Sequence, residues 1–319
     1  MHKTSPSHAR TAVANLLAAA ANAEFVRGCY SLFLHREADS EGLLWWLHGL
    51  HTGRCSRAGL MRALFLSEER RLRNLPVVNF EDLLETFYLA VLRSGDHFID
   101  VGAHLGRHTL SAARRCGSSG RGLAFEPLPQ IAKQLRENVA NAGGIARIDV
   151  RRLALSDVPA AEVTFQVAVD RLEESGLMQK SAYNGATTLE SIKVAVSTLD
   201  VEWLKEPTFK PKFIKIDVEG AELQVLRGSV KVLSACRPIV AFESGGRALA
   251  VYGDTSQSLF DFFSERQYSL FDLFGHELPR DEFANSHSSE QLWDYVAIPN
   301  ETIAADYVFR NFDAGSGKN

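Results

Sequence analysis

The run FIKIDVEGAEL, residues 213–223, ends a strand-like apolar stretch in carboxylates, at Asp217, Glu219 and Glu222. Carboxylates are costly to bury unpaired, so their clustering there points either to a helix cap or to a reactive site. At a helix start a carboxylate accepts backbone N–H bonds and complements the positive end of the helix dipole. In a cleft it can instead take the proton of a hydroxyl, which is a poor nucleophile at neutral pH. Glu219 is the first choice for such a base, and Asp217 fits a structural or ligand-binding part. Glu243, closing the run IVAFE, is a further catalytic candidate. Asp217, Glu219 and Glu243 also have the oxygen chemistry to hold Mg²⁺ and polarise a hydroxyl. No spacing signature calls for the ion, and no metal is expected.

A second constellation lies upstream. FIDVGAHLGRHTLSAARR sets a strand, a glycine turn and an amphipathic helix in the order that lets backbone approach a ligand closely. It lacks G-x-G-x-x-G and any Gly-Lys-Ser/Thr, so it is neither a dinucleotide fingerprint nor a P-loop. Gly102 and Gly106 would also serve a plain tight turn. The next strand-like run ends AFEP, and if the two strands are neighbours Glu126 stands in the crevice where open α/β sheets bind ligands. An acid there can accept both hydroxyls of a ribose. Asp100, the loop through Gly102, Ala103, His104 and Gly106, and Glu126 with Pro127 thus describe a pocket for a nucleoside without a pyrophosphate. S-adenosylmethionine is the commonest cofactor of that kind. Asp157, in ALSD, is placed to reach an adenine amino group or to serve as a turn aspartate.

These residues need a sheet to position them. Short apolar runs alternate with helical stretches from about residue 77, the pattern of a parallel sheet wrapped by helices. The expected parallel strands are residues 97–101, 122–126, 148–155, 213–217 and 239–243, with 268–274 and 293–298 as a closing pair. Between VTFQVAV and IKVAV lies a polar, glycine-dotted insertion, about residues 172–191, of a length more often functional than accidental. Residues 1–75 are expected to form a small all-α domain. Asp39 or Ser40 would cap one of its helices and Ser56 the next. Trp45 and Trp46 cannot both face one core along a helix, so one must meet another surface. The expected division is 1–75, 76–305 and a tail, 306–319, whose DAGSGKN end is expected to be disordered.

DVGAHLG, AFEP, LREN-x-x-N at residues 135–141, ALSD, KIDVEGAE and the later VLRG together resemble the FkbM-type S-adenosylmethionine-dependent methyltransferases, over about residues 87–298. The resemblance implies a seven-stranded, Rossmann-like methyltransferase sheet with helices on both faces, and methylation of hydroxyl oxygens on sugars or polyketides. It also implies that His108 helps to shape the pocket; His276 and His287 are left as surface or core histidines. One departure stands out: the family usually has Asn where this chain has His104. Both residues tolerate the left-handed backbone region, so a positive φ is predicted at His104. Separately, Tyr30, Leu34, Arg36, Asp39, Gly42, Trp46, Gly53, Ser67 and Glu68 resemble the pattern of helical modules appended to bacterial surface-layer and glycan-modifying proteins. That likeness implies a docking module, holding a protein partner or the substrate. A helical cap on the next domain is the alternative.

Composition bounds the rest. A net charge of −4 over 319 residues argues against a general nucleic-acid binder. Cys29, Cys55, Cys116 and Cys236 form no C-x-x-C pair and are expected to be free thiols in a reducing, cytoplasmic setting. TAVANLLAAAANA, residues 11–23, imitates a signal peptide, but Asn15 and Asn22 dilute it and helical spacing continues beyond it. Nothing reaches the roughly 18 unbroken apolar residues of a membrane span. The leading expectation is therefore an S-adenosylmethionine-dependent O-methyltransferase acting on a glycan or another hydroxylated small molecule of bacterial metabolism. The rivals are an idle methyltransferase fold that serves as a binding scaffold, and an enzyme for a nitrogen or carboxylate acceptor. The absence of Asn/Asp-Pro-Pro-Tyr after the fourth strand weakens the nitrogen version.

Overall fold

A computed structural model describes residues 19, 21–73, 75, 79–168, 175–177, 188–289 and 292–304. The signal-like segment up to residue 18, most of the polar insertion and the tail from residue 305 lie outside the described residues.

The central sheet is built from β1 (His97–Val101), β2 (Arg121–Phe125), β3 (Arg147–Arg151), β7 (Pro211–Ile216), β8 (Ile239–Glu243), β9 (Tyr268–Asp272) and β10 (Asp294–Pro299). Its order is β3-β2-β1-β7-β8-β10-β9. β1 pairs in parallel with both β2 and β7, β7 pairs in parallel with β8, and β10 runs antiparallel to β8. The inner strands β1, β2, β7 and β8 are almost wholly buried, as expected of a parallel sheet covered on both faces, whereas the edge strand β3 is partly exposed. The order runs outward from β1 in one direction and then restarts at β7 in the other. Right-handed crossovers therefore place the connecting helices on opposite faces, and the reversal opens a crevice beyond the carboxyl ends of β1 and β7.

Helix α6 (Arg107–Cys116) follows β1, and α7 (Pro129–Asn141) follows β2, its proline at the first helical position where a missing N–H costs nothing. The expected strand over 148–155 is divided in two. The N–H of Leu153 turns back to the carbonyl of Arg151, 3.1 Å away, and this kink ends β3 and sends β4 (Ala154–Leu155) into a second sheet. There β4 pairs in parallel with β6 (Leu189–Ser197), which pairs antiparallel with β5 (Ala160–Ala168). Phe165, Val167, Val194 and Val196 of this small sheet bury themselves against Leu128 and Ile131 at the start of α7.

The chain forms two compact units. One comprises residues 91–270 and 279–299 and carries most of the central sheet; the other comprises 1–90, 271–278 and 300–319. In the latter, α1 (Asn22–Leu34), α2 (Ser40–Thr52), α3 (Arg57–Phe65), α4 (Glu68–Leu72) and α5 (Phe80–Val91) are the described N-terminal helices. Asp39 and Ser56 cap α2 and α3 as expected, accepting the N–H groups of Gly42 and Gly59. Phe33 and Phe65 pack on Phe274, and Arg62 pairs with the fully buried Asp272 at 3.1 Å. Arg36 grips Glu69 with two parallel bonds of 2.7 and 2.8 Å while its guanidinium covers the Tyr30 ring. Trp45 is 64% exposed and its neighbour Trp46 half-buried, and the two indoles pack edge to face on each other with ring centroids 4.5 Å apart. Among the described residues, no helix is long and apolar enough to cross a membrane.

Candidate active site

The loop between β1 and α6 is held by its own chain. The N–H groups of Gly102 and Ala103 both donate to Phe125 O at 3.0 Å, and that of Gly106 donates to Ala103 O at 2.8 Å. The N–H of His104 donates to Glu126 Oε2 at 3.0 Å. Those four amides are thus engaged within the chain itself. The positive φ predicted at His104 is present, at 47°, flanked by Gly102 at 79° and Gly106 at 90°. Gly102 is required on a second count: a Cβ there would overlap the carbonyl oxygen of Asp217. The loops after β1 and β7 thus touch backbone to backbone.

Glu126 is 5% exposed just past the end of β2. Its second oxygen accepts the N–H of Leu128 at 2.8 Å, which leaves each carboxylate oxygen one further lone pair. Burial pushes its carboxyl up to about 7, helped by the charges of Asp100 and Asp217 and opposed by the two N–H bonds. Asp100, on β1, accepts the Thr109 hydroxyl through Oδ2, while its buried Oδ1 has no hydrogen-bond donor among the described residues. The nearest cation is Lys215, whose Nζ lies 4.0 Å from that oxygen and 2.9 Å from Asp217 Oδ2. An orphaned buried acceptor at Asp100 and spare lone pairs at Glu126 fit a donor-rich ligand such as a ribose with an amino group. Ala103 is buried, and His104 and Pro127 are half-buried. His108 is buried in the first turn of α6, whereas Asp157 lies exposed after β4, hydrogen-bonded to the Ser156 hydroxyl.

The carboxylates of residues 213–223 take three different places. Asp217 pairs with Lys215. Glu222, 1% exposed, folds its Oε1 back onto the N–H groups of Val218 and Gly220 at 3.2 and 2.9 Å. It, rather than Asp217 or Glu219, satisfies the loop before α9 (Glu222–Arg227), because the turn brings its side chain back under its own preceding amides. Burial raises the Glu222 carboxyl to about 7, and its Oε2 meets no donor among the described residues, as suits a protonated acid. Glu219 adopts φ 60°, a left-handed conformation unusual outside glycine and asparagine.

That conformation sets Glu219 beside Glu243. Carboxylate oxygens of Asp217, Glu219 and Glu243 all lie within 4.8 Å of one another, each residue half-buried. The Asp217 charge, burial and the charges of Asp294 and Glu219 push the Glu243 carboxyl well above the usual range, against the pull of Lys215. Asp294 is opposite Glu243 in the β8–β10 register. Two contributors escaped the sequence reading. Lys215 was signalled by a lysine inside the apolar run FIKI, where a cation needs a partner. Asp294 carried no signal, since only the pairing of β10 with β8 brings it to the site.

Parts of the chain match known families and proteins. The family model described as the methyltransferase FkbM domain matches residues 100–270, and one described as a domain of unknown function, DUF4214, matches residues 9–74. The hexuronic acid methyltransferase AglP of Haloferax volcanii is 27% identical over 147 residues, 44% of this chain and 53% of that protein. Methyltransferase FkbM from Methylobacillus flagellatus superposes with a TM-score of 0.42 at 17% identity, covering 84% of this chain and 57% of that one. An O-methyltransferase from Thermotoga maritima superposes at 0.36 with 12% identity, covering 72% and 69%. The chain spans about half the length of the first two.

Proposed function

The chain belongs to the FkbM methyltransferase family, and from that premise we propose that it transfers a methyl group from S-adenosylmethionine to a hydroxyl oxygen of a glycan or glycan precursor. The observation that carries the reading is the gathering of Asp217, Glu219 and Glu243 in the crevice end of β7 and β8, next to the pocket of Asp100 and Glu126. Glu126 and Asp100, with the loop from Gly102 to Gly106 and Pro127, are the residues to hold the donor. When bound, the donor supplies an electrophilic methyl on a sulfonium. Everything else falls to the acceptor side.

Glu219 takes the acceptor's proton. Asp217 is tied to Lys215 and Glu243 is pressed toward its neutral form, so the base's role is assigned to Glu219, whose carboxylate stands within 4.8 Å of both. A neutral Glu243 offers an O–H to orient a sugar oxygen while Glu219 accepts the reacting proton, a division of labour set by environment alone. The similarity to a hexuronic acid methyltransferase supports a sugar acid as the acceptor. The helical unit that matches DUF4214 is the element to dock the partner or substrate.

The test is methyl transfer to a panel of hexuronate- and hexose-containing oligosaccharides, read by mass spectrometry before and after mild alkali. An alkali-stable methyl ether, lost by roughly 10²- to 10⁴-fold in Glu219→Gln, is the expected result. An alkali-labile ester would move the acceptor atom to a carboxylate. Binding of S-adenosylhomocysteine without transfer to any acceptor would favour the scaffold reading. A metal-assisted version of the same transfer rests on the 4.8 Å clustering of the three carboxylates, and dialysis against EDTA separates it: the base mechanism keeps its rate.

A further inference from the structure

His287 is fully buried in α13 (Arg280–Ser289), and both of its ring nitrogens are engaged. Nε2 and the Ser244 hydroxyl are 2.8 Å apart, and Nδ1 and the Ser256 hydroxyl are 2.8 Å apart. Ser244 follows Glu243 directly at the end of β8, and Ser256 opens α12 (Ser256–Ser264). A neutral imidazole has one donor and one acceptor, and a hydroxyl can answer either, so both bonds are satisfied without a charge. Burial holds the ring neutral by pulling its pKa down to about 4. The backbone approaches as well, for a Cβ on Gly246 would come within 3.3 Å of Nδ1. The ring is packed against Phe283 and Tyr295, the latter on the strand that pairs with β8.

Successive residues of a strand point to opposite faces, so fixing Ser244 on one face fixes Glu243 on the other. The chain then enters α11 (Gly246–Val251), and Gly220, one residue beyond Glu219, is pressed against the carbonyl of Ala248 in that helix. His287, together with the bond from the Ser244 N–H to Trp293 O at 2.8 Å, therefore anchors the turn against which both acids are registered. We propose that His287 is a positioning residue: through its bond to Ser244 it sets Glu243 against Glu219 and Asp217 on the acceptor side. The assignment rests on the proposed function of those acids, but its test does not.

The measurement is the titration of Glu243 in the full chain, by carbon NMR of carboxyl-labelled glutamate, the resonance assigned with Glu243→Gln. The charges facing Glu243 are Asp217, Glu219, Asp294 and Lys215. Releasing the β8 end lets Glu243 swing away from Asp217, so in Ser244→Ala and His287→Phe the midpoint should fall by about one pH unit or more. Ser256→Ala removes only the second bond, from a half-buried position, and should give a smaller fall in the same direction. S-adenosylhomocysteine affinity should stay within about twofold of wild type, because Glu126 and Asp100 do not touch this network. An unchanged midpoint in the folded serine variants overturns the proposal, leaving His287 a packing residue. Wild type that binds no S-adenosylhomocysteine defeats the proposed function, yet the titration still decides the positioning role.

Discussion

The N–H of His104 and the carboxylate of Glu126 meet at 3.0 Å, joining the loop after β1 to the end of β2. Glu126 thus shapes the donor pocket twice, as a loop anchor and as an acceptor with lone pairs to spare. Calorimetric titration of S-adenosylhomocysteine into Glu126→Ala should show a loss on the order of 1.5–3 kcal/mol, roughly ten- to a hundredfold. Glu126→Gln retains the shape and one accepting oxygen and should lose less. Equal affinities in all three proteins would take Glu126 out of the pocket.

His104 occupies a conformation with φ 47° that asparagine also accepts readily and β-branched residues do not. His104→Asn should unfold in urea within about 0.5 kcal/mol of wild type. His104→Val should lose about 1–3 kcal/mol through backbone strain alone. A larger loss in the asparagine variant would mean that the imidazole itself matters.

The two constellations were legible in the sequence to different depths. HFIDV and IVAFE matched their strands to the residue, because short apolar runs bounded by turns carry their own limits. The left-handed turn at His104 followed from the resemblance, which puts asparagine there, a residue that like histidine tolerates a positive φ. What failed to show was long-range: the kink that divides residues 148–155 depends on one backbone bond, and the pairing of Asp294 with Glu243 depends on how the last strand inserts. The acids of residues 213–223 could be found but not sorted. Only the turn geometry shows Glu222 folding under its own loop while Glu219 gathers with Asp217 and Glu243.

Glu126 and Glu222 both hold their protons more tightly folded than unfolded, with folded values of about 7 against about 4.3 for a glutamate in an unfolded chain. The native state therefore binds more protons, and the stability from each group is full below pH ~4 and lost as pH rises through ~7. Thermal unfolding of the ligand-free chain should show a Tm that falls between about pH 5 and 8. Glu222→Gln, which cannot ionise, should flatten that slope, each acid accounting for on the order of 3 kcal/mol. A Tm rising across this window in both proteins would contradict the buried-acid picture.

Gly220 joins the two halves of the acceptor side. Its φ of 105° suits only glycine, and a Cβ would press into the carbonyl of Ala248. Gly220→Ala must therefore shift either the loop that carries Glu219 or the helix that follows Glu243, at a cost of about 2 kcal/mol or more. The donor pocket on β1 and β2 lies on the other side of Asp217 and keeps its contacts. The expected pattern is S-adenosylhomocysteine affinity within about threefold of wild type and methyl transfer down by roughly a hundredfold, since a misplacement of about 1 Å is worth that much. Loss of affinity in step with transfer would show instead that the Gly220 turn supports the whole crevice, and that the two acids are not registered by this contact alone.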